Sequence, residues 1–525
     1  MRKAKRIISI VLAAVAVTAL LSSCKDGKGR GGTDGETVIN IRVMNEVENV
    51  DRIVAEYKQR VKDDPVLSKI TPNITNTGGA NYVEKLKMSI TAQEDFDLMF
   101  YGSFFGMSDS IKQGVAKDVS SYFNSDEYPG LKAAFSEDYL DANRTDGALY
   151  TIPIAEAYED VRGLIIREDL RKKYNIPEIT NDDILMQFVQ VIKENEPDII
   201  PFTGGFMLFE TEYFEAPHHN LFPVEVAGYN KGTMFVGLDE DWKNVVDVVI
   251  AGDDPERFSK FADGYNTDFI TASHEKMLKW APYMDPDRAG GGVQGKEFAV
   301  GYSTVSQWPG NQKALKEKHP DADYSLYVTD KRQRELEEGA ILSEMKSNNF
   351  IIVPSWSKKT DQAMKFLDWM FGSKENHDLF QYGVEGVDWE AVGDDAYKPL
   401  DVPEKERYII PPYTLTWNPT YIRYLDTVKN NPQVKAYYDY SVSDKPYKKS
   451  PLTGFSFDPT PVKTEIASVQ ALVDPVLKNL KLAIYGDETA TVIKQLNTDV
   501  QNAGFEKIRA EIISQIQTFL DSQNK

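Results

Sequence analysis

Cys24 is the only cysteine in the 525-residue chain, so no internal disulfide can staple the fold and its stability must come from a packed core. The cysteine closes the run Leu21-Ser22-Ser23-Cys24. Four basic residues, Arg2, Lys3, Lys5 and Arg6, precede an apolar stretch from Ile7 to Leu21. A basic start, an apolar centre and a small-residue cleavage site read as a secretory signal peptide over residues 1–23. The stretch falls short of the about 20 apolar residues needed to cross a bilayer as a permanent anchor.

Residues 24–35 continue as a Gly-rich, polar segment (CKDGKGRGGTDG) that reads as a flexible leash. The remaining chain is long enough for two or three domains, or for two large lobes. The full chain's apolar fraction of 41% fits a soluble globular protein. The net charge is −21, and the leader contributes +4, which leaves −25 on the mature part. Such a surface repels nucleic acid and anionic lipid, and no basic stripe offsets it. A neutral or cationic ligand is favoured, although solubility alone would also account for the charge.

The patterning is mixed α/β. Ile39, Ile41 and Val43 alternate with Asn40 and Arg42 as a strand, Ile53, Val54, Tyr57 and Val61 recur at helical spacing, and Phe96 to Phe100 forms a second strand. That order predicts a βαβ unit with a parallel sheet. Residues 160–195 repeat it: Arg162 to Ile166 is strand-like, and Thr180 to Asn195 is a helix capped by Thr180 or Asn181. Further helices are predicted over Asp361 to Phe371, over Glu488 to Asn502, and along the stripe Ile508, Ile512, Ile516 and Leu520. Residues 395–465 show no clear period and read as irregular.

Catalytic signatures are missing. There is no phosphate-binding Gly-Lys loop, Gly301 to Val305 lacks the second glycine of a nucleophile elbow, and His274-Glu275 lacks the second histidine of a zinc protease. Asp285 and Asp287 start like a calcium loop, but Ala289 and Lys296 occupy ligand positions. No cofactor and no metal is expected. A pair of carboxylates for glycoside cleavage stays open, because 81 acidic residues guarantee chance pairs.

Several aromatics stand beside turn residues: Tyr101-Gly102, Trp308-Pro309, Pro354-Ser355-Trp356, Asp388-Trp389 and Trp417-Asn418-Pro419. A flat apolar ring in a loop, with Asp, Asn and Glu acceptors nearby, suits a sugar's C–H face and its hydroxyl rim. Core filling is the other reading for each tryptophan.

Several segments carry a family likeness. Leu21 to Cys24 resembles the bacterial lipobox, which implies that Cys24 becomes a lipidated N-terminus. Asp146 to Pro153 (DGALYTIP), Arg162 to Leu170 (RGLIIREDL), Thr180 to Pro201, and Ala363 to Met370 (AMKFLDWM) with Glu375-Asn376 resemble segments of extracellular solute-binding proteins of sugar-type ABC importers. Tyr382 to Trp389 (YGVEGVDW) and Gly454 to Glu465 (GFSFDPTPVKTE) are similar to LipO-type lipoproteins, which carry a C-terminal domain of unknown function.

The resemblance implies a two-lobed, periplasmic-binding-protein-like α/β fold with a hinge and an inter-lobe cleft. Lobe 1 is expected over 36–152 plus 354–412, and lobe 2 over 153–353 plus 413–525, including the C-terminal helices. The crossings are expected near Ile152-Pro153, Val353-Pro354 and Pro411-Pro412, each marked by proline. The implied activity is capture of an oligosaccharide for ABC permease subunits by a monomer held to the outer face of the cell membrane through its lipid alone. A surface glycoside hydrolase or lyase, and a binder of peptide or other non-sugar nutrient, are the alternatives.

Ligands of parallel α/β lobes sit at loops leaving the carboxyl ends of strands. Strand order and the resemblance together place the candidate ligand contacts at Asn45, Glu46, Asp97, Tyr101, Glu156, Tyr158, Tyr302, Gln307, Trp308, Trp389, Tyr413 and Trp417. Trp308, held between Gln307 and Pro309-Gly310, is the expected sugar platform.

Overall fold

The computed structural model describes residues 35–44, 47–76, 81–154, 160–203, 220–229, 232–261, 267–285, 297–343, 347–408, 415 and 421–523. In chain order the strands are β1 (Thr37–Val43), β2 (Ile70–Asn76), β3 (Leu98–Gly102), β4 (Ile152–Pro153), β5 (Arg162–Arg167), β6 (Ile200–Phe202), β7 (Leu221–Pro223), β8 (Met234–Leu238) and β9 (Val245–Ile250). They continue as β10 (Phe298–Thr304), β11 (Tyr324–Tyr327), β12 (Ile341–Ser343), β13 (Asn349–Ile352), β14 (Trp389–Val392), β15 (Ala396–Pro399), β16 (Tyr424–Leu425) and β17 (Tyr447–Lys449).

The first lobe is a five-stranded sheet in the order β2-β1-β3-β13-β4. β1 pairs in parallel with both β2 and β3, so the predicted parallel unit forms. Its extra edge strand β2 escaped the sequence reading because Thr71, Asn73, Thr75 and Asn76 break the apolar run. β13 enters antiparallel between β3 and β4. The chain is therefore back in the first sheet by Asn349, ahead of the expected Val353-Pro354 crossing. The 154 and 347–349 segments run side by side there: Ile154 N–H donates to Asn349 O at 3.0 Å, and Ser347 Oγ donates to Ile154 O at 3.2 Å. Helices Val50–Arg60, Thr360–Phe371 and Lys374–Tyr382 cover the sheet and close a core around Ile39, Ile41, Tyr57, Phe366 and Phe380.

The second lobe holds the four-stranded sheet β11-β5-β10-β6. Here the repeated parallel pattern expected for residues 160–195 does not hold. β5 is antiparallel to both β10 and β11, and only β6 runs parallel to β10. Helix Asp182–Asn195 forms as expected, with the Asn181 side chain accepting from Ile184 N–H at 3.0 Å. Leu164 and Ile166 face one core and Ile165 the other, the alternation required of a strand buried on both faces.

A third packed unit joins the antiparallel sheet β7-β8-β9 to helices Lys463–Lys481, Thr489–Asn502 and Phe505–Gln523. The predicted stripe Ile508, Ile512, Ile516 and Leu520 is buried in it. The region expected to be irregular contains helix Pro432–Val442 and strands β15, β16 and β17. Its tyrosines hid the helical period, since Tyr437, Tyr438 and Tyr440 are all buried on more than one side of that helix. Among the described residues no helix is long and apolar enough to cross a membrane.

Candidate ligand-binding site

The carboxyl ends of the central strands define the lip of each lobe. In the first lobe β3 ends at Tyr101-Gly102. Tyr101 is buried, its hydroxyl shares a 2.6 Å hydrogen bond with Ser110 Oγ, and its ring packs beside Phe105. The exposed groups at this strand end are Ser103 and Asn348. Ser103 Oγ donates to Asn348 Oδ1 at 3.1 Å, and Ser103 N–H donates to Asn348 O at 2.9 Å. Nothing in the sequence marked Asn348, because β13, the strand that follows it, reads as part of the other lobe until the pairing is seen.

The second lobe's lip is built where β10 ends beside the start of β5. Thr304 pairs opposite Arg162, and Val305 N–H donates to Val161 O at 3.0 Å. The next residue back, Asp160, receives Ser306 Oγ and, at 3.3 Å, Ser306 N–H on one carboxylate oxygen. Thr304 Oγ1 and Ser306 Oγ are 3.1 Å apart, and Asn311 Nδ2 donates to Ser303 Oγ at 3.0 Å. Burial pushes the Asp160 carboxyl up from its ordinary range, against the pull of the Ser306 and Thr304 hydroxyls and of Arg162. Five hydroxyl, amide and carboxyl side chains thus converge at one strand end, with half-buried Tyr302 and exposed Gln307 on the same segment. Gln307 Oε1 accepts from Thr304 N–H at 3.3 Å, which ties its side chain to the turn. Spacing could not single out Asp160 among 81 acidic residues; only the pairing of β5 with β10 does so.

Three candidates have packing roles instead. Asp97 is fully buried at the amino end of β3, not the carboxyl end. It accepts from Asn40 N–H at 2.9 Å, Ser357 Oγ at 2.8 Å and Lys359 Nζ at 3.2 Å. Trp389 is buried too: its Nε1 donates to Gly383 O at 3.0 Å, and Tyr382, Tyr397 and the Arg423 guanidinium surround the ring. With the indole 3% exposed, the Gly386-Val387-Asp388 turn does not present it to solvent.

Trp308, expected as a platform, is 4% exposed and packs with Val305, Leu315 and Leu326 at the first turn of helix Trp308–Lys318. Burying the indole gains more than exposing it, and Pro309 supplies the fixed φ that the first helical turn requires. Its Nε1 has no partner among the described residues. Asn45, Glu46, Glu156, Tyr158, Tyr413, Trp417 and Cys24 lie outside the described residues. The structure therefore brings Tyr302 and Gln307 to one lip, buries Trp308 in the core behind them, and separates Asp97, Tyr101 and Trp389 from that lip.

Comparison with known proteins extends this picture. A family described as bacterial extracellular solute-binding protein matches residues 49–377, and a domain of unknown function, DUF3502, matches residues 451–521. A curated Streptococcus pneumoniae protein named carbohydrate ABC transporter substrate-binding protein is 20% identical over 97% of each chain. Among solved structures, the N-glycan transport solute binding protein NgtS of Streptococcus pneumoniae superposes with a TM-score of 0.67 at 19% identity, over 93% of this chain and 100% of that one. An HMO-binding, ABC-transporter-associated solute binding protein from Bifidobacterium longum infantis gives a TM-score of 0.57 at 13% identity, over 93% of this chain and 99% of that one.

Proposed function

This chain belongs to the bacterial extracellular solute-binding protein family, and from that premise we propose that it captures an oligosaccharide between its two lobes for the permease subunits of an ABC importer. The observation that carries the sugar class is the likeness, along nearly the whole chain, to a relative named for carbohydrate uptake. The chemistry of the lips supports it. Hydroxyl, amide and carboxyl groups crowd the end of β10, and a carboxylate that accepts from hydroxyls suits a ligand rich in them.

The proposed contacts are Asn45 and Glu46 after β1, Glu156, Tyr158 and Asp160 past the first crossing, Tyr302 and Gln307 at the end of β10, and Tyr413 and Trp417 past the third. Lobe 1 is proposed to take the chain up to Ile154 and again from Ser347, with the side-by-side 154 and 347–349 segments as the hinge. Cys24 is proposed as the lipid-bearing residue that holds a monomer at the outer membrane face, and Cys24→Ala should release the protein from membrane to medium in a fractionation.

Calorimetry with a panel of neutral oligosaccharides tests the central reading. Binding should be seen, and Asp160→Asn should weaken it about ten- to a hundredfold, the worth of a hydrogen bond to a charged group. Failure of every oligosaccharide to bind, or release of cleaved sugar on a catalytic timescale, would overturn carbohydrate capture.

A further inference from the structure

A cavity of about 440 Å³ opens on the first lobe, at the end of its sheet away from the proposed cleft. Its wall includes Asp64 to Leu67, which lead into the first residue of β2, and the beginning of helix Lys374–Tyr382, where Arg60 Nη1 donates to Glu375 O at 2.7 Å. The former marks the amino ends of β1 and β2, which start side by side. The proposed ligand lip lies at their carboxyl ends.

Two helices meet backbone to backbone in the cavity wall. A Cβ added to Gly130 would lie 2.1 Å from Asp368 O and 2.9 Å from Gly372 Cα. Asp368 Oδ1 fixes the contact by accepting from Gly130 N–H at 2.8 Å and Leu131 N–H at 3.1 Å.

The wall combines aromatic surface with unused acceptors. Trp369 is half-buried and held edge-on by Tyr57 at 4.9 Å between ring centroids, so its orientation is set before any ligand arrives. Tyr421, also half-buried, stands against His377 at 5.9 Å. Asp368 Oδ2 and Asn376 Oδ1 have no partner among the described residues, while Asn376 Nδ2 is spent on Trp369 O at 2.9 Å. The Lys365 ammonium is likewise engaged, on Glu127 O and over the Tyr128 ring at 4.0 Å. Free acceptors beside aromatic rings call for a ligand that brings its own donors and a flat C–H face. Asp64 and Asp368 disfavour an anion.

The geometry points to an auxiliary site for a neutral hexopyranose unit in this cavity, separate from the cleft and independent of what the cleft binds. The volume lies within the range of small-molecule sites. Such a site would hold a glycan chain on the protein surface at a point remote from the lobes' mouth.

The test uses saturation-transfer NMR on the purified protein with methyl mannoside, N-acetylglucosamine and galactose at millimolar concentration, and glucuronate as the charged comparator. Ala133→Trp blocks the cavity from an exposed wall position and leaves the core untouched. Tyr421→Ala removes one ring. A saturable signal from at least one neutral sugar is expected, absent in Ala133→Trp, weakened roughly tenfold in Tyr421→Ala by loss of stacking, and absent with glucuronate. A signal unchanged by Ala133→Trp belongs to the cleft and overturns the auxiliary site, as does the lack of any neutral-sugar signal. Oligosaccharide binding by calorimetry should be the same in wild type and Ala133→Trp. If calorimetry shows no binding in either, the cleft reading fails while the cavity result stands.

Discussion

In the first lobe, strands and covering helices come mainly from two blocks of chain, 37–154 and 349–382, and they close a core centred on the β1 and β3 side chains. In the C-terminal unit, the sheet comes from 221–250 and its covering helices from 463–523, more than 200 residues later. A guanidinium lies inside that unit. Arg509 is 2% exposed, donates to both oxygens of Asp253 at 2.9 and 3.0 Å, and reaches the Val248 carbonyl of β9. Asn497 Nδ2 adds 3.0 Å to Asp253 Oδ1, and Gln517 Oε1 accepts Val245 N–H at 2.9 Å. The matched segment 451–521 is therefore one half of a folding unit rather than a domain with its own core. Its bonds to β9 join stretches more than 200 residues apart; the first lobe buries charge as well, Arg42 on Ser89 and Asp97 on Asn40, Ser357 and Lys359.

The largest effect should come from removing residues 451–525. β8 and β9 would lose the helices that bury Met234, Val236, Val248 and Ile250. A three-stranded sheet without cover has no apolar face closed. Hydrogen exchange should show Met234–Leu238 and Val245–Ile250 exchanging as unfolded chain, with β1 and β3 still protected. Protection retained in β8 and β9 would break the distinction drawn between the two regions.

Next in size is Arg509→Met. It strands the Asp253 carboxylate inside the unit, and breaking a buried pair on one side costs about 3–5 kcal/mol. Exchange in β9 should rise accordingly, and the double variant Arg509→Met, Asp253→Asn should recover part of the loss. A single-variant effect below about 1 kcal/mol would mean that the pair is no more than a surface-like contact.

Smaller again is Asp97→Asn in the first lobe, which weakens three hydrogen bonds at the amino end of β3 without opening a cavity. The expected cost is about 1–3 kcal/mol, the usual penalty for disturbing buried hydrogen-bond partners. It should be read in β1 and β3 and not in β9, with ligand affinity unchanged. A loss of affinity at constant stability would return Asp97 to the ligand site.

The same contrast explains what the sequence disclosed. β1, β3 and helix Thr360–Phe371 were legible because period and caps are local properties. The stripe on the last helix was legible as well, but its partner sheet was not, since a stripe says that something covers it without saying what. The lips divided likewise. Tyr302 and Gln307 follow from being at a strand's end, whereas Asp160 and Asn348 depend on which strands pair. Trp308 and Trp389 were misread because turn residues beside an aromatic fix the backbone, and whether the ring then points in or out is decided by tertiary packing.

The finest distinction is in the response to acid. His377, in the first lobe, is fully buried, and burial holds its imidazole below the ordinary value of about 6.5. Asp378, 3.2 Å from Nδ1, pulls the other way, while Lys374 and Arg423 add to the depression. A histidine depressed in the fold stabilises it fully above its unfolded value, and that contribution is lost as pH falls from there through the folded value. In the C-terminal unit the corresponding group is Asp247. Burial would raise it, but Lys260 at 2.6 Å, Val248 N–H at 2.8 Å and Arg257 at 3.1 Å together hold it below the carboxylate range. Its contribution is intact above an unfolded value of about 3.9 and is lost only in stronger acid. Asp268, raised by burial, favours the folded unit as pH drops. Between pH 7.5 and 5.5, exchange in β1 and β3 should therefore accelerate while exchange in β8 and β9 holds steady, after correction for the intrinsic pH dependence of exchange. His377→Gln, which cannot take up a proton, should flatten the first-lobe response. A slope that survives His377→Gln would assign the acid sensitivity to another group, and an equal slope in β9 would remove the difference between the two regions in their charge chemistry.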